Sequence, residues 1–441
     1  MIKILHVSDI HIGSGFSHGR LNPETGLNTR LEDFTKTLGI CIDRALSEPV
    51  DLVLFGGDAF PDATPPPYVK EAFAGQIRRL VDAGIPTVLL VGNHDQHSQG
   101  KGGASLGIYR TLGVRGIVVG DRLETHPINT KNGPIQIITL PWLNRSGLMV
   151  KKETDGKSME EVNDLIAEKL TVALEGEIRK LDSQIPTVLL AHLMADKASL
   201  GAERYLAVGK GFTLPVSLLN RSDFDYVALG HVHKHQNLNK SNNPPIVYPG
   251  SIERVDFSEE KEDKGFVLVE LERGRANWEF CKLPARPFKT IKVDVSEVEN
   301  PQEKLIKAIE KQDIEDAVVR LIYQLRSEQL EAIENGELHL ALSGAHSYTI
   351  QPELVSQLAR PRLPELEHGN SLDPLEALKT YLENREDLRD IQEEMIEAAR
   401  SLLDSEEELE LEELEVEEKE NWKAKKSEET TAEAEAQLLL W

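Results

Sequence analysis

The chain has 441 residues, 40% of them hydrophobic, which is enough for two or three domains with buried cores. A net charge of −25 excludes a protein that holds nucleic acid by bulk charge alone. Cys41 and Cys281, far apart and flanked by apolar residues, exclude a disulfide framework and point to a reducing cytoplasm. Met1-Ile2-Lys3-Ile4-Leu5 runs straight into a strand with no leader, and no apolar run approaches the roughly 18–20 residues of a membrane span. The charge is unevenly spread. Asp404 to Trp441 holds 15 acidic and 4 basic residues, whereas Lys101 to Lys152 holds 8 basic against Asp121 and Glu124. That second stretch is a candidate docking strip for DNA.

Residues 2–8 read as a strand ending in Ser8-Asp9-Ile10-His11. A loop rich in Gly, Ser and Asn (13–29) leads to a helix near Arg30–Ser47, with Leu31, Phe34, Leu38 and Ile42 on one face. Strand Asp51–Phe55 ends in Gly56-Gly57-Asp58, and a helix follows near Tyr68–Ala83. The apolar run Pro86–Leu90 is a buried strand ending in Val91-Gly92-Asn93-His94-Asp95. Gly100–Gly103 marks a loop, 116–140 reads as short strands with turns, and a long helix lies near Ser158–Leu181. Strand 186–191 ends at His192, and Tyr226–Leu229 ends in Gly230-His231-Val232-His233. Two strands over 265–283, joined near Gly274, close a first domain spanning 1–285.

After Pro287 the pattern predicts a small α+β domain over 286–360, with strands at Thr290–Val295, Ala317–Leu325 and Glu337–Leu342. A helix at Pro301–Lys311 and a short one near Ser327 lie between them. Pro361, Pro364 and Gly369 mark a linker. Two helices follow within 361–404, near 374–384 and 387–404, and the second carries an apolar seam at Leu388, Ile391, Met395, Ala398 and Leu402. The acidic tail over 405–441 is expected to be disordered. Gly100-Lys101-Gly102 and Gly209-Lys210-Gly211 lack the spacing of a nucleotide-binding loop, so any ATP dependence must come from another chain.

Five strand ends supply Asp9 and His11, Asp58, Asn93 with His94 and Asp95, His192, and His231 with His233. Chemistry in open α/β sheets collects just past the carboxyl ends of strands. Imidazole, carboxylate and amide donors without a cysteine suit two borderline divalent ions such as Mn²⁺, Fe²⁺ or Zn²⁺. One carboxylate must bridge such a pair, and Asp58 is the natural candidate. Two ions about 3.5–4 Å apart can hold a hydroxide and clamp an in-line displacement at phosphorus. His94 is expected to protonate the leaving oxygen, with Asp95 orienting it.

The order D-x-H, G-D, G-N-H-D, H, G-H-x-H over the first 235 residues resembles the calcineurin-like metallophosphoesterases. The resemblance implies a two-sheet α/β sandwich, with one ion at Asp9, His11, Asp58 and His233 and the other at Asp58, Asn93, His192 and His231. Within that family, His192-Leu193, Gly201–Arg204, Ala207–Gly209, Leu229–Lys234 and Tyr248–Ser258 resemble the SbcD-like nuclease subunits. That likeness implies Mn²⁺ as the metal and a DNA exo/endonuclease acting on double-strand ends and hairpins. It also implies a capping domain at 286–360 and a helix pair that binds an SbcC-type coiled-coil ATPase. A homodimer is a further expectation, as are substrate-binding roles for Tyr248, Ser251 and Arg254. Some members carry a His three residues past the bridging Asp; here the position is Pro61. The alternative is a stand-alone phosphoesterase for nucleotides or small phosphodiesters.

Overall fold

The computed structural model describes residues 1–96, 104–143, 158–199, 213–241, 243–355, 374–383, 388 and 391–401. The Gly100–Gly103 loop, Gly201–Arg204, Ala207–Gly209, the linker prolines and the tail over 405–441 lie outside them. So do both ends of the basic strip, at 101–103 and 144–152.

Two six-stranded sheets form the body of the protein. The first has the order β14-β13-β1-β2-β3-β4 and comprises β1 (Ile2–Val7), β2 (Leu52–Phe55), β3 (Thr87–Leu90), β4 (Ile117–Gly120), β13 (Gly265–Glu272) and β14 (Arg275–Lys282). The second has the order β11-β12-β10-β7-β6-β5. It comprises β5 (Glu124–Thr130), β6 (Gly133–Leu140), β7 (Thr187–His192), β10 (Tyr226–Gly230), β11 (Gln236–Asn237) and β12 (Ile246–Tyr248). A two-stranded pair, β8 (Met194–Ala195) and β9 (Thr213–Leu214), stands apart. The central strands β1 to β4, and β6, β7, β10 and β12, run parallel; the antiparallel partners lie at the margins.

Burial explains this layering. β2, β3, β7 and β10 are buried at every position, as parallel strands covered on both faces must be. Ile4, Leu54, Val88 and Leu90 meet Ile137, Val188, Leu190 and Ala228 in a core between the sheets. Helices α1 (Thr29–Ser47) and α2 (Pro67–Asp82) cover the outer face of the first sheet through Phe34, Leu38, Phe73 and Ile77. Two shorter helices, α3 (Gly107–Thr111) and α5 (Val216–Leu219), sit in connections. Helix α4 (Met159–Ile178) begins at a Ser158–Glu161 capping box and covers the second sheet with Ile166, Leu170 and Leu174. The two-sheet sandwich is therefore present.

A separate core lies over 288–354. Strands β15 (Phe288–Asp294), β16 (Val318–Leu325) and β17 (Ser347–Leu354) form a parallel sheet, packed by helices α6 (Pro301–Glu310) and α7 (Asn335–Ala341). The third strand is not at Glu337–Leu342. Leu338, Leu340 and Leu342 alternate like a strand, but a helix buries Leu338 and Leu342 one turn apart and leaves Leu340 75% exposed. The strand comes later, at Ser347–Leu354. This sheet is tied to the sandwich by Arg286, whose Nε and Nη2 each donate to the Asp33 carboxylate at 2.6 Å, and by the Thr29 hydroxyl, 2.8 Å from His346 Nε2. Met1–Val355 is one compact unit and Ser356–Trp441 a second. The described part of the second holds α8 (Pro374–Glu383) and a helix over 392–401, on which Met395 is exposed.

Candidate metal centre

The carboxyl ends of β1, β2, β3, β7 and β10 converge, and the chain past β1, β2 and β10 bends sharply. Asp9, His11, Asp58 and His231 all have positive φ, at 52°, 46°, 57° and 104°. Non-glycine residues there cost about 1–3 kcal/mol each, so the surrounding structure holds them against their preference. The ends also approach closely. A Cβ on Gly230 would lie 2.1 Å from the Gly56 carbonyl oxygen, which joins one sheet to the other.

Two clusters and an overlap between them result. Asp9, His11 and His233 offer ligand atoms within 4.8 Å of one another, and so do Asp58, His192 and His231; His11, Asp58 and His94 form a third such group that overlaps them. Asp58 links them: its Oδ2 is 3.3 Å from His192 Nε2 and 3.6 Å from His11 Nε2. Asn93 Oδ1 joins the second cluster, 2.9 Å from both His192 Nε2 and His231 Nδ1. All seven side chains and His94 thus meet in one place.

Hydrogen bonds aim the rings. His192 Nδ1 donates to the Gly56 carbonyl at 2.7 Å, and His233 Nδ1 donates to Glu259 Oε1 at 2.6 Å. In both rings Nδ1 is held by that acceptor, which leaves Nε2 turned toward the cluster. His233 Nε2 faces His11 Nε2 at 3.0 Å. Asp9 is held by the Ser8 hydroxyl and by His231 N–H at 3.0 Å.

The electrostatics describe a cluster short of positive charge. Burial raises the Asp9 carboxyl to about 6, although His192 and His233 pull it down. Burial would lower the His192 imidazole, but the Asp58 carboxylate lifts it to about 9. Asp58 stays well below the usual carboxylate range because His192 and His11 outweigh its burial. Burial pushes His231 down to about 3 and His11 well below its ordinary value. His231 Nε2 is buried with no hydrogen-bond partner among the described residues. An orphaned ring nitrogen beside acceptors that face one another fits divalent cations, and the N and O donors without thiolate suit borderline metals.

His94 sits at the edge, partly exposed, with Nδ1 donating to the Pro61 carbonyl at 2.7 Å and its backbone N–H to Asp58 Oδ1 at 2.9 Å. The expected partnership with Asp95 is not there. The Asp95 carboxylate accepts from the backbone N–H groups of Asp58, Ala59 and Gly92 at 2.9, 3.1 and 3.0 Å, and from the Ser105 hydroxyl. It fastens the β2 loop to the β3 loop, and Pro61 orients the imidazole instead. Tyr248 and Ser251 are fully buried and also differ from expectation. Their hydroxyls donate to the carbonyls of Leu193 (2.8 Å) and Glu253 (2.9 Å). Arg254 donates to the carbonyls of Glu259, Glu262, Ala285 and Arg286. All three hold main chain together. Sequence reasoning missed Glu259 and Lys264, because Glu259-Glu260-Lys261-Glu262-Asp263-Lys264 looks like a solvated charge run. Both are buried, and only the contact with His233 singles them out.

The sequence model of the calcineurin-like phosphoesterase family matches residues 2–235. The chain is 25% identical over 301 residues to the D component of nuclease SbcCD from Staphylococcus epidermidis, covering 67% of this chain and 74% of that protein. It is 24% identical to the corresponding D component of nuclease SbcCD from Bacillus subtilis, covering 63% and 68%. It is 28% identical to the DNA double-strand break repair protein Mre11 of Haloferax volcanii, covering 74% and 62%. With the family match spanning more than half of its length and the paired ligand clusters at the strand ends, this chain belongs to the calcineurin-like phosphoesterase family.

Proposed function

We propose that the chain is a metal-dependent DNA exo/endonuclease subunit that hydrolyses phosphodiesters at double-strand ends and hairpins, working with an SbcC-type coiled-coil ATPase. The observation that carries the reading is the shared carboxylate: Asp58 stands between two three-ligand clusters. When bound, two divalent ions, Mn²⁺ in our reading, supply a hydroxide nucleophile and charge to hold the phosphoryl oxygens. Asp9, His11, Asp58 and His233 would hold one, and Asp58, Asn93, His192 and His231 the other. The remaining work is the protein's. Pro61 fixes the His94 ring so that a proton on Nε2 can go to the leaving oxygen.

Two features favour a polymer over a small phosphodiester. Relatives over most of the chain are named nucleases and double-strand break repair proteins. In addition, a cleft of about 860 Å³ in the 288–354 region is lined by Lys261, Lys292, Lys304, Lys307 and Lys311 against Glu260 and Glu303. That is a local positive surface on an acidic chain, suited to a phosphate backbone. Ile391 and Met395, exposed beside each other in the C-terminal helical region, would take the partner's coiled coil. We place the protein in the cytoplasm as a homodimer.

Purified protein with Mn²⁺ is given duplex DNA, single strands and bis-p-nitrophenyl phosphate, alone and with the ATPase. Cleavage of DNA and of the small diester, both lost in His94→Ala with metal retained, is the expected result. Hydrolysis of the small diester with no nicking of DNA under either condition would favour a stand-alone phosphoesterase.

A further inference from the structure

Glu259 connects the first ligand cluster to the 288–354 sheet. Its Oε1 accepts His233 Nδ1–H at 2.6 Å; its Oε2 pairs with Lys264 Nζ at 2.8 Å and accepts Val255 N–H at 3.0 Å. Lys264 Nζ in turn donates to the His233 carbonyl at 3.3 Å and to Glu262 at 2.9 Å. Both side chains of the Glu259–Lys264 pair are 0% exposed. A buried ion pair is seldom retained for stability, since apolar residues of like volume serve as well or better. Here the pair has a second effect: it fixes which nitrogen of His233 carries the proton and where the ring points.

The segment that carries Glu259 is gripped by the neighbouring sheet along its length. Arg254 donates to the Ala285 and Arg286 carbonyls at 3.3 and 3.1 Å. The Phe257 ring packs 5.0 Å from Phe288 and lies under the Arg320 guanidinium at 4.3 Å. Glu260 accepts Thr290 N–H at 3.1 Å. The second cluster is held differently, by the Gly56 carbonyl on His192 and by Asn93.

We propose that Glu259 is a positioning residue for His233, and that segment 254–264 transmits the placement of the 288–354 sheet to the Asp9–His11–His233 cluster but not to the Asp58–His192–His231 cluster. The inference rests on the paired-metal reading above. It makes one ion site responsive to whatever moves that sheet, while the other keeps its own geometry.

The test is calorimetric titration of the metal-free full chain with Mn²⁺, for wild type, Glu259→Gln and Arg320→Ala. Wild type is expected to take two ions. Glu259→Gln should weaken one of them by about 10–100-fold and leave the other unchanged. Arg320→Ala, which touches no ligand, should weaken that same ion several-fold. If Glu259→Gln does not fold by circular dichroism, Arg320→Ala decides alone. Two ions at wild-type affinity in both variants, or an equal loss at both sites, overturns the inference. A wild-type chain that takes no ions would instead overturn the paired-metal reading beneath it.

Discussion

Gly92→Ala adds a single methyl group and tests how tightly the bridging carboxylate is placed. Gly92 closes the β3 end, and a Cβ there would lie 2.1 Å from Asp58 Oδ1, 2.5 Å from Asp58 N and 2.8 Å from Asp58 Cγ. Reaching even the 3.4 Å of an ordinary contact requires the carboxylate to move by more than an ångström. The Asp58 backbone cannot give way easily, because its N–H is bonded to Asp95 and its φ is already 57°. A displacement of about 1 Å at a reacting centre costs on the order of 10²-fold in rate. The fold itself should lose only about 1–3 kcal/mol, the usual cost of overpacking. Turnover of bis-p-nitrophenyl phosphate with Mn²⁺ is measured alongside urea unfolding. Gly75→Ala serves as the control, since it sits in α2 with nothing within 4 Å of its new Cβ. That variant should keep full activity and gain roughly 0.5–1 kcal/mol. A Gly92→Ala protein that turns over within about threefold of wild type would show that the tolerance at Asp58 is looser than this geometry demands.

Other perturbations separate the parts. Asp58→Ala should remove both ions rather than one, because the carboxylate faces both clusters; full occupancy of two sites by calorimetry refutes the bridge. Replacing Lys292 and Lys311 together by Ala should lower duplex affinity and reduce the salt slope by about 1–2, with small-diester hydrolysis intact; an unchanged slope removes the cleft from DNA binding. His6, buried in β1 beside the Tyr226 hydroxyl, is pushed by burial from 6.5 to about 3. Between those values the unfolded chain binds the extra proton, so stability falls as pH drops through that window, by up to about 1.4 kcal/mol per pH unit. His6→Asn should flatten that slope in urea midpoints measured from pH 7.5 to 4.5; parallel slopes contradict it.

The convergence of the site was legible because each polar group closes an apolar run, with a glycine before Asp58, Asn93 and His231, and parallel strands place such ends side by side. Glycine spacing in Gly56-Gly57-Asp58 and Gly92-Asn93-His94-Asp95 also marks where main chains approach. What could not be read is which acceptor each group takes. Asp95 stands next to His94 in the chain, yet its oxygens go to main-chain amides 36 and 37 residues away. Glu259 lies in a charge run whose hydrophilicity hides a buried position. The Leu338–Leu342 stretch fits both a period of two and a helical turn, and only packing against its own small core decides between them.

The left-handed backbone at Asp9, His11, Asp58 and His231 carries a further consequence, for engineering. A selection for heat tolerance run without regard to catalysis would find glycine or asparagine attractive at all four positions, because each relaxes the loop. Glycine at any of them would delete a donor from the centre, and asparagine would take away a carboxylate charge or an imidazole. Hardening this enzyme therefore has to be sought in its helices and outer loops, where comfort of the main chain and chemistry do not compete for the same residue.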